Sequence, residues 1–275
     1  MENWGLALGI AVAAGVGAYF YSRKPTLKGR RRLGQALAAV VAAALVAVLA
    51  SAGMKYFSAS ESLGVASDQP AAIDQSMRAI RETPLVGLVL RETPALDLRF
   101  REAIEADMKN PPKGAPPRSF IVGAEVRRDI IAPTLRRADD AAVLDAINSM
   151  QAFVKHLQAT NVPLCREFGL IGLPQPGRLD ATGAALFKRA LATQEEAYVN
   201  GKARSVAPQQ ITNQEVHKLL EEAGYTAADF DRLAALTKSS DQEGCAATLK
   251  LYQAPTLLPP ARGGALARYL LTISS

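Results

Sequence analysis

The chain has 275 residues, 49% hydrophobic and 21% charged, with a formal net charge of +6. Of its 32 basic and 26 acidic residues, seven basic and one acidic lie in 1–55, which leaves 25 of each in 56–275. The neutral remainder has no counterion-release drive toward phosphate backbones, so the basic excess does not point to nucleic acid.

The first element is a run without charge from Leu6 to Phe20, bracketed by Trp4 and by Tyr19 and Tyr21. About 20 mostly apolar residues span a hydrocarbon core, and aromatic rings favour its interfaces. Residues 4–22 therefore read as a transmembrane helix. A second run, Leu33 to Met54, has Gln35 as its only strongly polar side chain, and Lys55, Tyr56 and Phe57 follow as an anchor. Arg23, Lys24, Lys28, Arg30, Arg31 and Arg32 fill the turn at 23–32, whereas the outer flanks carry Glu2 and Lys55. Lys and Arg near helix ends stay on the cytoplasmic side. The expected topology is a two-pass hairpin, residues 1–57, in a bacterial inner membrane. Its turn is cytoplasmic, and the N-terminus and residues 58–275 are periplasmic. The Ala- and Arg-rich composition suits a bacterial genome of high GC content.

Ala50-Ser51-Ala52 has the form of a signal-peptidase site. The apolar run before it exceeds the usual ~7–15 residues of a signal peptide, and another apolar run precedes it. Both helices are therefore expected to be retained. Small residues recur every four positions at Gly9, Ala13 and Gly17, and at Ala39, Ala43, Ala47 and Ser51. Such faces let helices approach closely in lipid, either each other or a second membrane subunit. Neither run carries an internal charge that would mark an ion path.

Residues 58–275 show no sustained two-residue alternation, and the expected fold is all-α, with eight to ten mostly short helices. Asp68 and Pro70 open a helix through Ile80, and Thr93-Pro94 opens Ala95–Lys109. The prolines and glycine of 110–117 make a break. Phe120–Ile131 reads as helix until Pro133 stops it. Asp139–Gln158 is the longest, with Val143, Ile147, Met150, Val154 and Leu157 on one stripe. Residues 170–178 read as a loop, and Asp180–Tyr198 as a helix ended by Asn200-Gly201. Thr212 with Glu215, Thr226 with Asp229, and Ser240 with Glu243 have capping-box spacing. A last helix is expected over Ala261–Ile273. The repeated Arg-Glu-Thr-Pro at 81–84 and 91–94 reads as shared helix punctuation rather than a solenoid repeat.

Cys165 and Cys245 are the only cysteines. An even pair in an oxidising compartment predicts a disulfide, against the alternative of two buried thiols. His156 and His217 are the only histidines. Glu221 alone stands at ligand spacing from one of them, and a catalytic zinc needs three ligands, so no metal is expected. The adjacent acids Asp139-Asp140, Glu195-Glu196 and Glu221-Glu222 diverge by about 100° on a helix and read as solvated faces. Glu61-Ser62 resembles the Glu-Ser pair of lytic transglycosylases, but the Gly- and Gln-rich segments that follow the acid in that family are absent. No phosphate loop, hydrolase elbow, zinc-protease, haem or redox motif occurs, and no cofactor is expected.

The expected function is a membrane-anchored, non-catalytic binding or structural subunit of an envelope or inner-membrane complex. Its expected partners are the lipid bilayer and other membrane or envelope proteins. An envelope enzyme acting on peptidoglycan or lipid is the first alternative, and an extracytoplasmic sensor or regulatory subunit the second.

Overall fold

A computed structural model describes residues 69–110, 116–173 and 176–272. The hairpin, its basic turn and its small-residue faces lie outside them, as does Glu61. Among the described residues there is no strand, and no helix is long and apolar enough to cross a membrane.

Among the described residues twelve α segments occur, more than the eight to ten expected for 58–275. They are α1 Gln69–Glu82, α2 Val86–Glu92, α3 Pro94–Lys109 and α4 Arg118–Val126. After a π turn at Arg127–Ile131 come α5 Ala132–Leu135, α6 Asp140–Thr160, α7 Val162–Ile171 and α8 Ala181–Lys202. The described residues continue with α9 Asn213–Glu222, α10 Ala227–Ala234, α11 Asp241–Gln253 and α12 Pro260–Thr272. The π turn adds to the number, because it sets Ala132–Leu135 apart from Arg118–Val126 as a segment of its own.

The long helix α6 is the axis, with α8, α12, α11 and α7 packed around it. Its expected stripe is the buried face: Val143, Ile147, Met150, Val154 and Leu157 are all 3% exposed or less. Phe153, on the same helix, meets Phe168 of α7 edge-on and Phe187 of α8 at 5.0 Å between ring centres. Helices α1, α2 and α3 pack on one another, and α3 packs on α4.

The helix expected to stop before Pro133 instead continues to Leu135. Proline breaks a regular helix because it lacks an N–H and its ring meets the carbonyl four residues back. Here the π turn widens the helix just ahead of it, and the Ala132 N–H reaches back five residues to Arg127 O. Asn200-Gly201 is likewise no terminus, since α8 runs on to Lys202. Gly201 is needed for close approach: a Cβ there would stand 2.2 Å from the Thr134 carbonyl oxygen. The capping boxes at Thr212 and Ser240 close in both directions, and at Thr226 the Asp229 carboxylate accepts the cap N–H and hydroxyl.

Candidate functional site

The two cysteines meet. Asn161 caps α7 through the Leu164 N–H, and Ser240 caps α11 through the Glu243 N–H. Each cap sets its cysteine a turn into the helix. Cys165 and Cys245 form a disulfide with Cα atoms 5.1 Å apart, and both are fully buried. The helices touch closely beside it, where a Cβ on Gly169 would overlap the Thr248 side chain. Burial removes the bond from thiolate attack, so it acts as a staple.

A second constellation was not expected. His156, in the last turns of α6, and Asp180, the cap of α8, are 24 residues apart. The His156 Nε2 lies 2.9 Å from Asp180 Oδ1 and 3.2 Å from Oδ2. The Gly183 N–H donates to the same carboxylate at 2.6 Å, and these two contacts, the backbone one foremost, hold the carboxyl below its ordinary range. Asp180 also borders a cleft of about 100 Å³, lined with it by Leu157, Thr160, Asn161, Leu164, Arg178 and Leu179, and His156 is not part of that lining. A histidine held by a carboxylate serves as a base when a nucleophile meets its other nitrogen. The hydroxyl one turn on, Thr160, donates instead to the His156 carbonyl at 2.9 Å. Asn161 and Arg178 are also engaged, by the Leu164 N–H and by Glu167. The arrangement fastens the α6 end to the α8 start and leaves a shallow polar notch.

The third constellation gathers arginines where α5, α6, α8 and α12 converge. Arg268 donates to the Ala138 carbonyl at 2.8 Å and to Asp140. Asp139 caps α6 through the Ala142 N–H, and it exchanges two 2.9 Å hydrogen bonds with Asn200. Asp139 and Asp140, expected on a solvated face, are thus tertiary anchors. A helix start concentrates N–H groups that favour carboxylates, and both residues then attract partners from distant helices. Arg127 is fully buried without a carboxylate. It donates to Leu271 O at 2.8 Å, and its Nε and Nη1 have no partner among the described residues. Burial pulls it down to about 10. The carbonyl end of α12 supplies partial negative charge. The unpartnered nitrogens have almost no accessible surface, so there is no space beside them for a ligand.

His217 and Glu221 stand 3.4 Å apart, and the imidazole stacks on Phe230 at 4.2 Å. No group of three metal-ligating side chains occurs among the described residues. Of the adjacent acids, Glu195 is half-buried and accepts the Leu85 N–H, whereas Glu196 is exposed. Large exposed apolar side chains are spread over separate elements: Leu98 on α3, Ile121 on α4, Val199 on α8, then Val206 and Leu257.

Comparison with protein-family models, curated proteins and solved structures found no match.

Proposed function

We propose that this chain is a binding or structural subunit anchored in a bacterial inner membrane by an N-terminal two-helix hairpin, with its helical domain on the periplasmic side. The observation that carries the reading is the buried Cys165–Cys245 bridge. Structural disulfides belong to oxidising compartments. The six basic residues of the 23–32 turn call for the same side by an independent rule.

Purification from membranes in mild detergent, with co-purifying proteins identified, tests the subunit reading. Other envelope or membrane proteins should accompany the chain. Recovery as a lone monomer would overturn it. A compartment-sensitive reporter fused after Ser275 tests the topology, and cytoplasmic activity of that reporter would refute the orientation.

One observation favours an envelope enzyme as a second reading: Asp180, paired with His156, lines the cleft. Peptidoglycan or lipid turnover by the purified chain, lost in His156→Ala, would establish it.

A further inference from the structure

Leu85 joins α1 to α2 with φ 63° and ψ −56°, a left-handed backbone that a branched residue rarely adopts. The Val86 N–H closes a γ-turn on the Pro84 carbonyl at 2.7 Å. The Leu85 N–H points outward from that turn and donates to the Glu195 carboxylate of α8. The Leu85 side chain is fully buried, as are Val86, Val89 and Leu90 that follow it.

Among the described residues, the polar contacts of α1–α4 are otherwise almost all internal. Arg81 bonds Asp97, Arg101 bonds Asp74, and Arg99 bonds Glu125. The Asp107 carboxylate receives the Arg118 and Ser119 N–H groups at the start of α4. Backbones of α1–α3 approach one another and α4 closely, and approach α6–α12 closely at few points. Among the described residues, two polar contacts cross from this segment to the helices beyond the π turn. They are Glu195 with the Leu85 N–H, and Lys202 with Glu92 at 2.6 Å. Both come from α8. The covalent connection is the π turn at Arg127–Ile131, a break in regular helix of the kind that absorbs bending.

We infer that α1–α4, over residues 69–110 and 116–126, form a hinged arm, held closed on α8 by Glu195 at the strained Leu85 turn and able to swing at the Arg127–Ile131 π turn. Glu195 is a positioning residue, since its carboxylate holds a backbone conformation that the chain would otherwise relax. Opening releases the strain and uncovers the apolar face of α2. In chain order the arm lies between the proposed hairpin and the bundle, so a change in hairpin packing would reach the bundle through it. That last link rests on the membrane reading, and the latch itself does not.

Hydrogen exchange on the full chain in detergent tests the latch independently of topology. In Glu195→Ala, amides of Val86–Glu92 should exchange on the order of tenfold to a hundredfold faster, the range expected for losing a charged hydrogen bond. Amides of α6, α8 and α11 should keep their wild-type rates. Glu195→Gln, which retains an acceptor oxygen, should lie between, and Glu196→Ala should match the wild type. Unchanged exchange in the arm of Glu195→Ala, or an equal gain across the bundle, overturns the proposal. If that variant does not fold, the wild type decides. Its α1–α3 amides should become exchangeable at lower denaturant than those of α6 and α11. Exchange of both sets only in one global step overturns the latch.

Discussion

The Arg268 guanidinium crosses from α12 to the start of α6, where it bonds both the Ala138 carbonyl and the Asp140 carboxylate. Its side chain is 5% exposed, while that of Asp140 is 38% exposed. Removing the carboxylate would leave the cation buried and half-satisfied, and removing the arginine would open a void and orphan the carbonyl. Arg268→Ala should lower unfolding free energy by about 3 kcal/mol, and Asp140→Ala by about 2 kcal/mol because its carboxylate is partly solvated. Urea denaturation of both and of the double variant measures this. A strictly additive double variant would show that the two side chains do not act together.

The disulfide closes a separation of 80 residues. Chain entropy assigns such a loop about 4 kcal/mol. Cys165→Ala with Cys245→Ala should lower the thermal midpoint by several degrees or more. In the wild type both sulfurs are buried, so mild reductant should act only once the domain unfolds. Free thiols in the non-reduced native protein, counted by mass spectrometry, would remove both the staple and its support for the compartment.

Acid should weaken the domain through Asp229. Its carboxylate accepts from Lys250 at 2.7 Å, from the Thr226 N–H at 2.9 Å and from the Thr226 hydroxyl. These contacts, Lys250 first, hold it well below its ordinary value of 3.8. A group depressed in the folded state contributes stability above its unfolded pKa and loses it as pH falls toward the folded one. The urea midpoint should therefore hold between pH 5 and 8 and fall below about pH 4. Asp229→Asn should cost on the order of 1–2 kcal/mol at pH 7 and make the acid fall shallower. An unchanged acid slope in that variant would mean the carboxylate is not the group responsible.

Two glycines should respond to alanine for different reasons. Gly224 has φ 87° with nothing near a prospective Cβ, so Gly224→Ala should cost about 1 kcal/mol from backbone conformation alone. Gly201→Ala drives a methyl into the Thr134 carbonyl and should cost about 1–3 kcal/mol by forcing α8 away from α5. Trimming a partner side chain cannot relieve Gly201→Ala, because its obstacle is backbone. Equal, small losses at both positions would contradict the close approach.

Replacing Arg23, Lys24, Lys28, Arg30, Arg31 and Arg32 with Gln removes the charge that orients the proposed hairpin. A reporter after Ser275 should then distribute to both sides of the membrane rather than one. An unchanged one-sided distribution would show that orientation does not depend on this turn.

Signals that act within about four residues were legible in the sequence. The stripe on α6, the proline-led start of α3 and the three capping boxes all lie where spacing predicts them, because a helix couples a residue to neighbours three and four positions away. The all-α class follows from the same local periodicity. The cysteine pair was legible for a different reason: with two cysteines there is one possible bridge. The passage through Pro133 was not, because a π turn leaves no periodic mark. Nor was Gly201, which reads locally as a helix end and serves as a contact surface.

The sequence alone thus determined the helical class, the caps, the identity of the bridge partners and the concentration of positive charge in the first 55 residues. Tertiary structure decided which charges meet. Asp180 finds His156 across 24 residues, Glu195 finds the Leu85 N–H across 110, and Arg268 finds Asp140 across 128. Before folding each of these is one exposed polar group among many, with no preferred partner. Packing α8 and α12 onto α6 removes water and brings particular pairs within hydrogen-bonding reach, and that selection depends on the whole core rather than on any local stretch of chain.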